Sequence, residues 1–211
     1  MGKRLLKPEE PILGLAGSTI GEFWSWAYSD IVSNTVRPSF AEFLVGKCLG
    51  LLNEPRKEWD HVDFVYGGRK IEVKSSVYVQ TWDQTMPSVI VFDIAPKTKP
   101  WVAETNTIGP RGRAADCYVF CVHTDVDRSN CAVNDTGRWD FYVLPAQAIS
   151  RAFGEQKSVR LSRIQRMCVP VKYSDLKNAI DAALTDASCD AATTGDVASG
   201  QDHAVKQPGQ S

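Results

Sequence analysis

The chain contains no run approaching the ~18 consecutive apolar residues that a membrane-spanning helix needs, and the stretch Ile12–Ala16 is too short for the core of a secretory leader. These two absences predict a soluble, cytoplasmic protein. Cysteine is sparse, six in 211 residues, and no two form a Cys-x-x-Cys pair, so a disulfide scaffold is excluded and a reducing compartment expected. A glycine-rich phosphate cradle, a defensible Ser/His/Asp order and a basic amphipathic helix for a membrane surface are missing too. Net charge is almost lacking, at −1.

What is present is 43% hydrophobic residues in a length suited to one domain with a sizeable core. The small net charge hides a division: residues 186–211 hold four Asp against one Lys, −3, which leaves +2 for residues 1–185. That last stretch is Ala, Ser, Thr, Gly and Gln with little to bury, so residues 186–211 are expected to be a disordered tail. Residues 1–17 lack periodicity and are expected to form an arm, which leaves 18–185 as the domain. Within it, Arg151, Lys157, Arg160, Arg163, Arg166 and Lys172 face only Glu155, a basic stripe suited to a polyanion.

Thr19-Ile20-Gly21-Glu22 has capping-box spacing and opens a helix over 19–33, with Ile20, Phe23, Trp24, Ala27 and Ile31 on its apolar side. A second helix is predicted after Pro38, with Phe40, Leu44, Cys48 and Leu51 buried and Ser39–Glu42 as a second capping box. Val62–Tyr66 and Arg69–Lys74 flank Gly67-Gly68 and read as a hairpin. Strands at 76–80, 88–94, 116–123 and 139–144 and helices at 145–153 and 174–185 follow. This order predicts an α/β (α+β) fold with a mixed central sheet flanked by helices. Trp24, Trp26, Trp59, Trp101 and Trp139 are expected in the core.

The hairpin carries the chemistry. A two-residue loop pairs Tyr66 with Arg69, Val65 with Lys70, Phe64 with Ile71 and Asp63 with Glu72, and sets Asp60 level with Ser75. Two opposed carboxylates destabilise a sheet unless a cation lies between them. Asp63, Glu72 and the Val73 carbonyl make a hard-oxygen set for Mg²⁺, with Mn²⁺ able to substitute, and Lys74 shares the Glu72 face. An ammonium beside a metal-bound water fits phosphodiester hydrolysis. Gln80, at even spacing from Lys74, is placed to steady a bound water or phosphate, and Trp82 to stack on a base, although a satisfied amide and a core indole are the commoner roles.

Asp63, then Glu72-Val73-Lys74 on the return strand, preceded by a helix bearing Glu42, resembles the PD-(D/E)XK nuclease superfamily of restriction-endonuclease-like proteins over residues 40–94. Ala41-Glu42, Glu58-Trp59-Asp60, Glu72-Val73-Lys74-Ser75-Ser76 and Gln80-Thr81-Trp82 are more narrowly similar to uncharacterised bacterial proteins of that kind. His61-Val62 stands where the motif's name expects proline. The resemblance implies a restriction-endonuclease-like fold, metal binding by Asp63 and Glu72, a catalytic Lys74 and an assisting Glu42. It implies a DNA endonuclease of restriction or repair type; the alternative is an inactive module of that fold that binds nucleic acid or a protein. Double-stranded DNA is the expected partner, and cutting both strands favours a two-fold homodimer. Arg111 and Arg113, in the 19-residue loop Pro96–Ala114, with Arg160 and Arg163 are the expected phosphate contacts.

Two metal patterns are set aside. Cys117, Cys121, His123 and Cys131 have no zinc-finger spacing, and two of the four lie in an apolar strand. Asp125-Val126-Asp127 starts like a calcium loop, but Asn130 and Thr136 stand where Gly and Glu belong.

Overall fold

Thr19 caps the first helix as its spacing predicts: its hydroxyl accepts the Glu22 N–H (3.3 Å), and the Glu22 carboxylate accepts the Thr19 N–H (3.0 Å). The structure, a computed structural model, describes residues 4–58, 62–98, 101–102, 107–108 and 111–193. Helix α1 (Ile20–Tyr28) stops short of residue 33 and buries none of its residues; Trp26, expected in the core, is 85% exposed. Trp139 is buried and Trp24 half-buried, whereas Trp59 and the Trp101 side chain lie outside the described residues.

Helix α2 (Val36–Leu49) begins before Pro38 rather than after it. Proline is tolerated there because first-turn N–H groups have no intrahelical acceptor. Ser39–Glu42 is therefore no capping box, and Glu42 sits in the helix interior. Gly50, at φ 71°, ends the helix in the left-handed conformation before Asn53 and Pro55 are reached.

Gly67 and Gly68 (φ 55° and 79°) turn the hairpin between β1 (Phe64–Tyr66) and β2 (Arg69–Val77). The three expected pairs, Phe64–Ile71, Val65–Lys70 and Tyr66–Arg69, form. The fourth does not extend the ladder: the Asp63 N–H turns back to the Ile71 carbonyl (3.1 Å), one residue short of Glu72. Asp60 lies outside the described residues.

The chain continues through β3 (Val91–Asp93), β4 (Lys97–Thr98), β5 (Trp101–Val102), β6 (Thr107–Ile108), β7 (Arg111–Gly112), β8 (Cys117–His123), β9 (Trp139–Pro145), α3 (Ala146–Phe153), β10 (Ser158–Arg160), α4 (Leu161–Ile164) and α5 (Leu176–Thr193). The expected strand at 76–80 is absorbed into β2, which ends at Val77. Residues 96–114, expected to be a plain loop, carry the two short ladders β4–β7 and β5–β6. Helix α5 runs beyond residue 185, the expected domain end; residues 194–211 lie outside the described residues.

The main sheet has the order β1-β2-β8-β9, with β2–β8 parallel and the outer pairs antiparallel. The fold is thus mixed α+β, with a central mixed sheet flanked by helices. Every residue of β8 is buried, as expected for a strand covered on both faces. On one face Ile71, Val73, Cys117, Val119 and Cys121 pack against α2 and α5. On the other, Tyr118, Phe120 and Val122 pack against β3, β10, α3 and α4. Among the described residues, no helix is long and apolar enough to cross a membrane.

Candidate active site

Strand β2 presents Glu72 and Lys74 on the face of Tyr118 and Phe120, their partners in the parallel ladder. Both open into a small, shallow cleft lined also by Asp93, Lys97, Arg113 and Tyr118. Glu72 is buried apart from this opening, and its Oε1 accepts a hydrogen bond from Lys74 Nζ at 2.5 Å.

Asp63 does not stand opposite Glu72 as a ladder partner. Leaving the ladder early lets its side chain fold onto β2, where Oδ2 accepts the Val73 N–H at 2.6 Å. It thereby binds the backbone between Glu72 and Lys74. Burial pushes its carboxyl up to about 6, and the charges of Glu42 and Glu72 push the same way, against the Val73 N–H and Lys74. The carboxylates thus crowd one region as the register implied, by a different geometry.

Glu42 reaches this region from α2. It is buried and held in a two-bond fork by Arg56, Nε to Oε2 at 2.5 Å and Nη2 to Oε1 at 2.6 Å. Arg56 was not anticipated. It lies 14 residues from Glu42, in a segment without periodicity, so only the fold reveals the pair.

Gln80 lies beyond the end of β2, so the alternation that would carry it onto the Lys74 face does not persist. Its Nε2 donates to Ser88 Oγ (3.1 Å), and its N–H donates to Gln84 Oε1 (2.6 Å). Gln80 braces the 80–88 loop, and Trp82, 55% exposed, lies on that loop rather than in the core.

The four arginines separate. Arg113 is a tether: Nε donates to the Ile94 carbonyl (3.1 Å), Nη1 to Gly154 O (3.0 Å) and Ser150 Oγ (3.3 Å), and Nη2 to Gln156 O (3.4 Å). Arg111 pairs with Glu155 at 3.3 Å. Arg160 is exposed at the end of β10, and exposed Arg163 stacks its guanidinium 4.8 Å over Phe153. Asp93 and Lys97 join the cleft without any local motif, brought there because β3 pairs with β10 beside the sheet.

Asp63, Glu72 and Glu42 against Lys74 and Arg56 leave one excess negative charge when all are ionised, which Asp93, Lys97 and Arg113 along the adjoining cleft wall offset. Among the described residues, Asp63 Oδ1 and Glu72 Oε2 take no hydrogen bond, so each carboxylate offers an oxygen to a hard cation. No protein-family model, curated protein or solved structure matches this chain.

Proposed function

We propose that this protein is a divalent-metal-dependent endonuclease of restriction-endonuclease-like fold, acting on double-stranded DNA. The observation that carries the reading is the grouping of Asp63, Glu72 and Lys74 at the Val73 backbone of the central strand, beside a cleft. Asp63 and Glu72 would hold Mg²⁺, or Mn²⁺ in its place, with the Val73 carbonyl as a further oxygen. When bound, the ion lowers the pKa of a water and polarises a phosphate oxygen.

The chain's own groups do the rest. The crowding of carboxylates favours a cation, and burial, with the charges of Glu42 and Glu72 added to it, is what keeps the proton on Asp63 to about pH 6 without one. A cation on the Glu72 carboxylate would weaken its hold on Lys74 Nζ, and the released ammonium would hydrogen-bond the attacking water or the charge growing on the phosphate. Glu42, clamped by Arg56, stands at the site's edge and would orient solvent. Gln80 is tied to the 84–88 loop and is left as a support of that loop.

A second reading, a non-cleaving nucleic-acid or protein-binding module, rests on one specific observation: Glu72 and Glu42 are each already paired with an internal cation. Lys74→Ala separates the two. Loss of a group acting on the attacking water costs about 10²–10⁴-fold in rate. The variant is expected to bind DNA in Ca²⁺ like wild type and to nick supercoiled plasmid in Mg²⁺ at least 100-fold more slowly. Wild type that binds DNA and never nicks it in Mg²⁺ or Mn²⁺ would establish the second reading.

A further inference from the structure

At the far end of β8 from the glycine turn, three side chains converge that the cleft does not use. His123 closes β8, Asp125 follows two residues later, and Cys131 returns from the 3₁₀ turn Arg128–Asn130 in the loop joining β8 to β9. His123 is 0% exposed, with its ring edge-on to Trp139 at 5.3 Å between centroids. Its Nδ1 lies 3.9 Å from Cys131 Sγ, and its Nε2 lies 3.5 Å from Asp125 Oδ2. One donor atom from each of the three residues falls within 4.8 Å of the other two.

Among the described residues, His123 Nε2 has no hydrogen-bond partner although it is buried. A buried polar nitrogen left unsatisfied costs about 1–3 kcal/mol. Its separation from Asp125 exceeds the usual N–H···O range of about 2.7–3.2 Å. It matches instead the spacing of two ligands on one tetrahedral ion, about 3.4 Å for nitrogen and oxygen at 2.0–2.2 Å from the metal. Asp125 is fixed from behind: the Ala132 N–H donates to Oδ2 (2.9 Å) and Arg138 Nη1 donates to Oδ1 (2.7 Å), the outer bonds that orient a ligating carboxylate. Cys131 is only half-buried and leaves a path for entry.

We propose that His123, Asp125 and Cys131 bind one transition-metal ion of the zinc class, His123 through Nε2 beside Asp125 and Cys131 by turning its thiol from the Nδ1 side of the ring, with a fourth position left to water. Imidazole and thiolate select a borderline-soft ion, whereas Mg²⁺ demands oxygen, so this centre is chemically distinct from the one at Asp63 and Glu72. Cys131 gives up its thiol proton to solvent on binding, His123 binds as neutral imidazole, and no oxidant or reductant is involved. The ion staples the 124–138 loop to the end of β8. The zinc-type set weighed from the sequence shares His123 and Cys131 with this group, but its Cys117 and Cys121 are core thiols, and Asp125 was absent from it.

The test uses full-length protein stripped with EDTA. Zn²⁺ uptake is read by competition with a fluorescent chelator, and Co²⁺ is read by its thiolate-to-metal absorption. Wild type is expected to take up one equivalent of Zn²⁺, to show the thiolate band with Co²⁺ and to gain thermal stability with Zn²⁺. Outer-shell partners alone are worth about 10–100-fold in affinity, so Cys131→Ser and Asp125→Asn should each weaken binding by about 100-fold or more. Cys131→Ser should also abolish the band, while Cys168→Ser retains it. Circular dichroism checks that each variant is folded; Cys131 is half-buried and both replacements are close in size, so the fold is expected to survive. Wild type that takes up no Zn²⁺ at micromolar concentration, or uptake unchanged in both ligand variants, overturns the assignment.

Discussion

Asp63 is the residue at which sequence and structure differ most usefully. Its carboxyl is raised from an ordinary 3.8 to about 6, chiefly by burial. A raised carboxyl pKa means that the folded protein holds this proton more tightly than the unfolded chain. The group's contribution to stability is therefore complete below about pH 3.8 and is lost as pH rises through about 6, for a total of about 3 kcal/mol. Asp63→Asn keeps an oxygen for the Val73 N–H and removes the ionisation. In EDTA at pH 7.5 it is expected to be about 1–3 kcal/mol more stable than wild type to urea, with the difference vanishing near pH 4. A variant less stable than wild type at both pH values would show that burial of this charge is not what raises the pKa.

The elements that were legible in the sequence are those whose signals are local. The capping box of α1, the diglycine turn and the unbroken apolar run of β8 each depend on residues a few positions apart, and each element formed. Glu72 and Lys74 were legible for the same reason, because a two-residue turn and the pleat fix their face. What was not legible depends on distance along the chain: Arg56 on Glu42, Asp93 in the same cleft as Lys74, and Arg113 as a tether between Ile94 and the end of α3. Strand β10 and helix α4 were missed because three- and four-residue elements contain less than two periods of any pattern.

The junction of α2 with β1 shows how elements set the site. A β-carbon on Gly46 would stand 2.8 Å from Phe64 Cζ and 2.5 Å from Leu52 Cδ2. The bare backbone thus lets the hairpin lie close against α2, one turn from Glu42 and next to Asp63. Alanine gains about 1 kcal/mol of helix propensity over glycine, while an added methyl in a packed contact costs about 1–3 kcal/mol. Packing should win because the added methyl must displace two side chains at once, Leu52 and Phe64, and the Phe64 backbone is fixed in a ladder. Gly46→Ala is therefore expected to lower the melting temperature by several degrees and to weaken the Mg²⁺ binding proposed at Asp63. A stability gain in thermal melts would show that the contact relaxes freely.

For the whole molecule, the decisive question is how a chain of net charge −1 would hold a polyanion. Summed charge gives no answer, since the placement of individual cations governs local attraction. Arg113 satisfies backbone carbonyls from Ile94, Gly154 and Gln156 and so has other work, whereas Arg111 meets Glu155 only in an exposed ion pair. Arg160 and Arg163 are exposed on consecutive short elements, and Arg166 follows one turn later, also exposed. Each phosphate contact contributes about 0.9 to the slope of log affinity against log salt on duplex DNA. Replacing both Arg160 and Arg163 with Gln should flatten that slope by about 1–2 in Ca²⁺ and leave the unfolding midpoint within a degree or two of wild type. Arg113→Gln should do the reverse, lowering the midpoint because four acceptors lose their donor while the slope changes little. An unchanged slope in the double variant would mean that Arg160 and Arg163 contact no phosphate.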